Sequence, residues 1–334
     1  MPRFILWVLA FYMVSLPIHS QGRINRALLK HAREAPVFPV DQIDSLMAYL
    51  LAPTHSERGR AEVLAYWVAT HTVYDTEAYQ KHIIKDEPWK ETYQSGIAAC
   101  SGYSQLYKAL CDRAGVECWI IEGYAKSFEY RSGMTFQDTN HAWNIVKVEG
   151  NYFPLDITWA SGTLKLKWGN RLVFDPYFDP TYLFSSPLSF VEKHLPAQPR
   201  WQLLSHPVSM VDFLEWNYVL DMVDRKSPEY SFVDSIGDFV ALDFYARKQK
   251  DLRDAVYFHR SDLMLANGYY DLAYCYATDS LGSQEHLESA VYYFQKAKDL
   301  YQRPNVNLEE MVGHCDRGIQ YASVRLNNLR LQEE

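Results

Sequence analysis

The feature that most constrains this chain is a change of hydrophobic period near residue 115. From Cys100 onward Tyr103, Leu106, Tyr107 and Leu110 recur at intervals of three and four, which is helical spacing. Gly115 suits the left-handed position after a last helical turn. The texture then becomes that of strands. Glu117 to Tyr124 is rich in aromatic and β-branched residues, and His141 to Val148 alternates up to the turn signal Glu149-Gly150-Asn151. Tyr152 to Trp159 reads as the partner strand, with Pro154 marking an edge or a bulge. A helix followed by antiparallel strands predicts an α+β fold rather than repeated βαβ units.

Other segments fall around this core. Residues 21–57 read as an N-terminal helical segment and residues 58–174 as the core, opened by an amphipathic helix carrying Ala61, Val63, Leu64, Trp67 and Val68. His82 to Ala98 is polar and irregular, and reads as loop. Residues 175–207 hold six prolines interleaved with aromatics and form an ordered collar. Residues 208–334 are helical in pattern. Within them Leu272-Ala273-x-x-Tyr276 and Ala290-x-x-x-Phe294-x-x-Ala297 have the spacings of a tetratricopeptide repeat, with Asp279 to Ser283 as a lengthened loop. A plain helical hairpin with small residues at its crossing fits equally well. Either way this region suits a protein partner better than chemistry.

Phe4 to Leu16 is an uncharged apolar run behind Arg3, and Ser20 supplies a small residue at a cleavage point. This predicts a signal peptide over 1–20, and hence export to a periplasmic or extracellular location. The run is shorter than the ~20 residues that span a bilayer, so no integral span is expected after cleavage. The net charge of −8 without a basic stripe argues against nucleic-acid binding. Five cysteines with no C-x-x-C give no zinc ribbon, and neither a P-loop, G-x-G-x-x-G, HExxH nor EF-hand loop occurs. No metal and no cofactor are expected.

Cys100 stands where loop meets helix, and a helix N-terminus lowers a thiol pKa. A thiol nucleophile also needs a base and a group that orients the base. His141 lies on one strand and Asp156 on the next. If the hairpin turns on Glu149-Gly150, Asp156 lies opposite Trp143, and if it turns on Gly150-Asn151, Asp156 lies opposite Ile145. In both registers Asp156 and His141 share a face, and in the first they are diagonal neighbours about 7–8 Å apart. Cys111, Cys118, Cys275 and Cys315 read as buried small hydrophobes. His71, His82 and His259 read as structural.

The segment from about Trp67 to Gly162 resembles the transglutaminase-like superfamily, and within it the bacterial branch related to kyphoscoliosis-type peptidases. The matching residues are Trp67, Tyr74-Asp75, Cys100-Ser101-Gly102-Tyr103-Ser104, Gly123-Tyr124-Ala125-Lys126, Asn140-His141-Ala142-Trp143-Asn144 and Leu155-Asp156-x-Thr158-Trp159. His194-Leu195-Pro196 with Trp201-Gln202-Leu203 adds a fainter likeness. The sequence departs from the family at Ala98, where members often have Gly. The resemblance implies a papain-like core, with a nucleophile-bearing helix packed on an antiparallel sheet. Cys100 would be the nucleophile, His141 the general base and acid, and Asp156 the orienter. The backbone N–H of Cys100, with Gln94 beside it, would supply an oxyanion site, and Trp143 would flank the substrate groove. The implied function is a secreted thiol enzyme acting on amide bonds of protein or peptide through a thioester, with hydrolysis favoured over cross-linking. The alternative is a catalytically silent binding or scaffold module.

Overall fold

The computed structural model describes residues 24–81, 83, 88–215, 230–258, 261–280 and 282–333. The signal-peptide segment, His82 and His259 lie outside the described residues. Three helices lead in: α1 (Arg26–Arg33), α2 (Ile43–Leu51) and α3 (Glu57–His71). Ser56 caps α3 by accepting from the Gly59 N–H. Val63, Leu64, Trp67 and Val68 are buried in one cluster with Leu46 and Leu50 of α2.

The segment read as loop contains more order than expected. It follows β1 (Val73–Tyr74) and α4 (Thr76–Gln80), and itself holds α5 (Trp89–Ser95) and β2 (Ile97–Ala98). Thr92 of α5 is buried and Trp89 and Tyr93 pack half-buried on the core, a stripe of one i, i+4 pair that is too short to mark a helix. Gly96 closes α5 at φ 66°, the left-handed region where glycine carries no Cβ penalty. β1 and β2 pair in parallel, with Tyr74 opposite Ala98.

Next comes α6 (Cys100–Ala114), ended by Gly115 at φ 66°, as the sequence predicts. The main sheet has the order β5-β4-β3-β8, built from β3 (Glu117–Ala125), β4 (His141–Val148), β5 (Asn151–Leu155) and β8 (His194–Pro196). Every neighbouring pair is antiparallel. β5 is an edge strand, which is where Pro154 is tolerated. The α+β core therefore has the predicted form, a helix carrying Cys100 packed on an antiparallel sheet. Asn144 Nδ2 donates to the Ser104 carbonyl of α6 at 3.1 Å, while Trp143 and Ile145 on the other face pack on Phe190, Trp201 and Ile236.

Two sequence expectations change here. The run Tyr152 to Trp159 is not one strand: β5 stops at Leu155, and α7 (Ile157–Ser161) begins with Asp156 as its cap. The collar is not merely a connector, because its residues 194–196 are β8 and complete the sheet. Between them lie the separate hairpin β6 (Gly162–Lys167) and β7 (Arg171–Pro176), and the short helix α8 (Pro187–Val191).

The C-terminal region is helical, with α9 (Met210–Glu215), α10 (Phe232–Ala241), α11 (Phe244–Phe258), α12 (Asp262–Thr278), α13 (Gln284–Tyr301) and α14 (Glu309–Glu333). Leu272, Ala273 and Tyr276 of α12 meet Ala290, Phe294 and Ala297 of α13 in one buried cluster. Gly318 of α14 lies against the Phe294 ring, where a Cβ would collide. The region is tied to the core: buried Arg200 pairs with Asp251 and Asp254 of α11, and Asn267 of α12 donates to Asp138 at 2.7 Å. Among the described residues no helix is long and apolar enough to cross a membrane.

Candidate active site

Cys100 is the first residue of α6, so its backbone N–H is among those a helix leaves without an intrahelical partner. Its side chain is partly exposed and is a free thiol, as are the other four cysteines. The β1–β2 pairing brings Tyr74 beside it. Ala98 is fully buried in that pairing, so the residue that departs from the family pattern is accommodated in β2.

The hairpin has the first of the two registers considered. Val148 pairs with Asn151 across Glu149 and Gly150, which take φ 51° and 78° as a two-residue primed turn requires. Asn144 pairs with Leu155, so one step further Trp143 faces Asp156, and His141 is its diagonal neighbour. His141 Nε2 lies 2.7 Å from Asp156 Oδ2. His141 is in turn hydrogen-bonded to Cys100.

Burial and charge compete at each of these groups. Burial pushes the Cys100 thiol up, but the His141 charge, the bond to His141 and the Ala142 N–H outweigh it, and the thiol ends below its ordinary value. Burial pushes His141 down, but the charges of Asp156 and Cys100 and bonds to both raise it to about 10. Burial also works against the Asp156 carboxylate, but His141 and then His194 hold it well below the usual carboxylate range. Each shift therefore favours the charged form of its group: thiolate, imidazolium and carboxylate.

Asp156 has a further role and a further partner. Its Oδ1 accepts from the Trp159 N–H at 2.9 Å, which caps α7. Its Oδ2 also lies 2.9 Å from His194 Nε2. His194 sits on β8 opposite Ala125 and is 1% exposed. Sequence reasoning quoted His194 but gave it no function, because it meets Asp156 only through the distant β3–β8 pairing. The ligand atoms of His141, Asp156 and His194 lie within 4.8 Å of one another and are chemically able to hold a divalent cation. A cation there would need both facing ring nitrogens free of protons, whereas the two hydrogen bonds to Asp156 Oδ2 need a proton on each.

A cavity of about 400 Å³ opens beside His141, lined among others by Tyr74, Tyr79, Phe174, Tyr177 and Tyr182. The tryptophan at its wall is Trp159, whose ring centroid is 5.6 Å from that of His141. Trp143, expected at the groove, is instead 1% exposed and packed on Phe190 and His194. It shares the odd face of β4 with His141, but α8 and β8 cover that part of the face. Gln94 lies on α5 with an exposed side chain. His71 is structural as expected, its Nδ1 3.0 Å from the Trp67 carbonyl.

Residues 44–157 match the family model described as the transglutaminase-like superfamily, and that span contains Cys100, His141 and Asp156. This part of the chain is a transglutaminase-like domain. Kyphoscoliosis peptidase of Mus musculus is 32% identical to the chain over 172 residues, covering 51% of this chain and 26% of that protein. Hillarin of Drosophila melanogaster is 29% identical over 174 residues, covering 47% and 21%. A solved structure titled as a crystal structure of a TGase is 19% identical, covers 42% of this chain and 35% of that one, and has a TM-score of 0.29. The chain spans about a quarter of the length of the curated relatives it matches. The alignments cover about half of this chain.

Proposed function

We propose that the protein is an exported thiol enzyme that cleaves amide bonds of protein or peptide substrates, with Cys100, His141 and Asp156 as its triad. The observation that carries this reading is the His141–Asp156 bond beside a lowered Cys100 thiol, with His141 lining an open aromatic cavity. The Cys100 thiolate attacks the carbonyl carbon, and the developing oxyanion is met by the Cys100 N–H at the positive end of α6. The His141 imidazolium gives its proton to the leaving amine, leaving a thioester. His141, now neutral, takes a proton from water, and hydroxide attack frees the acid and restores the Cys100 thiolate beside the His141 imidazolium.

An amine acceptor would use the same steps and give a cross-link. Hydrolysis is favoured because a cross-linker needs a second groove for its amine, and because the printed name of the mouse relative is that of a peptidase. A bacterial affinity rests on the sequence resemblance, and export rests on the apolar run Phe4 to Leu16. The C-terminal helices are proposed as a partner surface, since Tyr274, Tyr292 and Tyr321 are each more than half exposed. The test is labelling by an electrophilic peptide probe, followed by product analysis with water or a fluorescent primary amine as acceptor. Cys100-dependent labelling and new carboxylates support the proposal. Equal labelling of wild type and Cys100→Ala would overturn it.

A further inference from the structure

His141 and His194 converge on one oxygen, Asp156 Oδ2, at 2.7 and 2.9 Å. Asp156 is fully buried, and its other oxygen is occupied by the Trp159 N–H. We propose that His194 is a positioning residue of this site, donating from Nε2 to Asp156 and so fixing the carboxylate that orients His141. The proposal rests on the Cys100–His141–Asp156 reading above.

The argument is one of proton inventory. An ionised carboxylate only accepts, so whatever faces it at 2.9 Å must donate. His194 also hydrogen-bonds the Phe190 backbone. If both partners accept, a neutral ring has one proton for two acceptors. The charged carboxylate is the stronger of the two, so the proton belongs on Nε2. The groups around His194 enforce neutrality. It stacks on Phe190 with centroids 4.1 Å apart, and Trp159, Trp143 and Tyr182 surround it. The charged or titratable neighbours are Asp156 and His141, whose ring is 5.8 Å away. The one imidazolium, that of His141, then stands between the Asp156 carboxylate and the Cys100 thiolate, while His194 contributes a dipole.

The geometry adds a reason for such a device. Asp156 sits past the last paired residue of edge strand β5, at the start of a five-residue helix. His141 from β4 and the Trp159 N–H of the α7 cap each hold one oxygen, which leaves the β8 side of the carboxylate to be filled. β8 closes that side, held at Gly123↔Pro196 and Tyr124↔Leu195.

Two measurements test this on the full-length protein. The first reads the protonation of His194 in the wild type by nitrogen NMR between pH 6 and 8. A proton on Nε2 is expected, and an Nε2 without one overturns the proposal. The second compares the pH profile of Cys100 alkylation in wild type, His194→Gln and His194→Phe. The Gln amide keeps a donor, and Phe keeps the stack without one. In a folded His194→Phe, alkylation at pH 6 should slow about tenfold, the scale of one hydrogen bond to a charged group, with His194→Gln within about threefold of wild type. A folded His194→Phe with the wild-type profile overturns the proposal. If wild-type Cys100 is itself an ordinary thiol, the triad reading fails, and the NMR result alone decides the role of His194.

Discussion

His141 Nε2 and Asp156 Oδ2 meet at 2.7 Å although His141 opens strand β4 and Asp156 caps helix α7. The contact exists because a two-residue turn at Glu149-Gly150 sets the register that makes them diagonal neighbours. A slip of one residue would send them to opposite faces.

Asp156→Asn keeps the α7 cap, because an amide oxygen also accepts from the Trp159 N–H. It removes the charge and puts an amide NH2 where both histidines meet Oδ2. Turnover should fall by roughly 10–10³-fold, with the melting temperature reduced only modestly. Asp156→Ala should also lose about 1 kcal/mol from the cap and leave two buried rings without an acceptor. Kinetics and thermal melts on the two variants separate these effects. Unchanged turnover in Asp156→Asn removes Asp156 from the chemistry.

The two tryptophans near His141 should behave oppositely. Trp143 is core, so Trp143→Ala should cost about 3–5 kcal/mol of stability. Trp159 lines the cavity, so Trp159→Ala should act on kcat/KM more than on unfolding. Denaturant titrations beside steady-state kinetics check this, and a Trp143→Ala as stable as wild type would contradict the packing.

Gly123 couples the outer strand to the site. A Cβ there would run into the Leu195 carbonyl and the Trp143 ring. Gly123→Ala should cost about 1–3 kcal/mol by overpacking, and it should slow turnover by moving β8 and with it His194. Normal turnover with lowered stability would show that β8 supports the fold alone.

The Cys100–His141 pair also sets a stability signature. Unfolded, the imidazole titrates near 6.5 and the thiol near 8.5, each value approximate. Folded, His141 is raised to about 10 and Cys100 is lowered. A raised His141 loses stabilisation as pH climbs from about 6.5 to about 10, while a lowered Cys100 loses it as pH falls below about 8.5. If the proton rests on the ring rather than the thiol, the folded pair holds one proton between these values, as the unfolded pair does, and the contributions cancel. In Cys100→Ser only the His141 part remains. The melting temperature of wild type minus that of Cys100→Ser should therefore rise between about pH 6.5 and 8.5. A constant difference would show that no proton has moved from the thiol to the ring.

What could be read from the sequence was what local chemistry determines. The change of period at Gly115, the turn at Glu149-Gly150 and the edge position of Pro154 each depend on neighbouring residues, and each is found in the structure. The break at Leu155 was also readable in principle, since Asp156-x-x-Trp159 is a capping arrangement. α5 was not, because a seven-residue helix offers one i, i+4 pair, Trp89 and Tyr93, and no longer period. Trp143 was misplaced for a different reason. Parity puts it on the His141 face, but what covers that face is β8 and α8, reached through about fifty residues of intervening chain. His194 escaped on the same ground, since only long-range strand pairing brings it to Asp156.

The central claim is that Cys100 and His141 exchange a proton at rest, and the pH dependence of alkylation tests it most directly. Iodoacetamide is applied between pH 5 and 9, and the modified residue is located by mass spectrometry in wild type and His141→Gln. The account predicts that Cys100 of the wild type reacts quickly at pH 6, ahead of the other four thiols, and that His141→Gln confines its reaction to about pH 8 and above. A wild-type Cys100 whose rate climbs about tenfold per pH unit up to about 8.5, like an ordinary thiol, would contradict it.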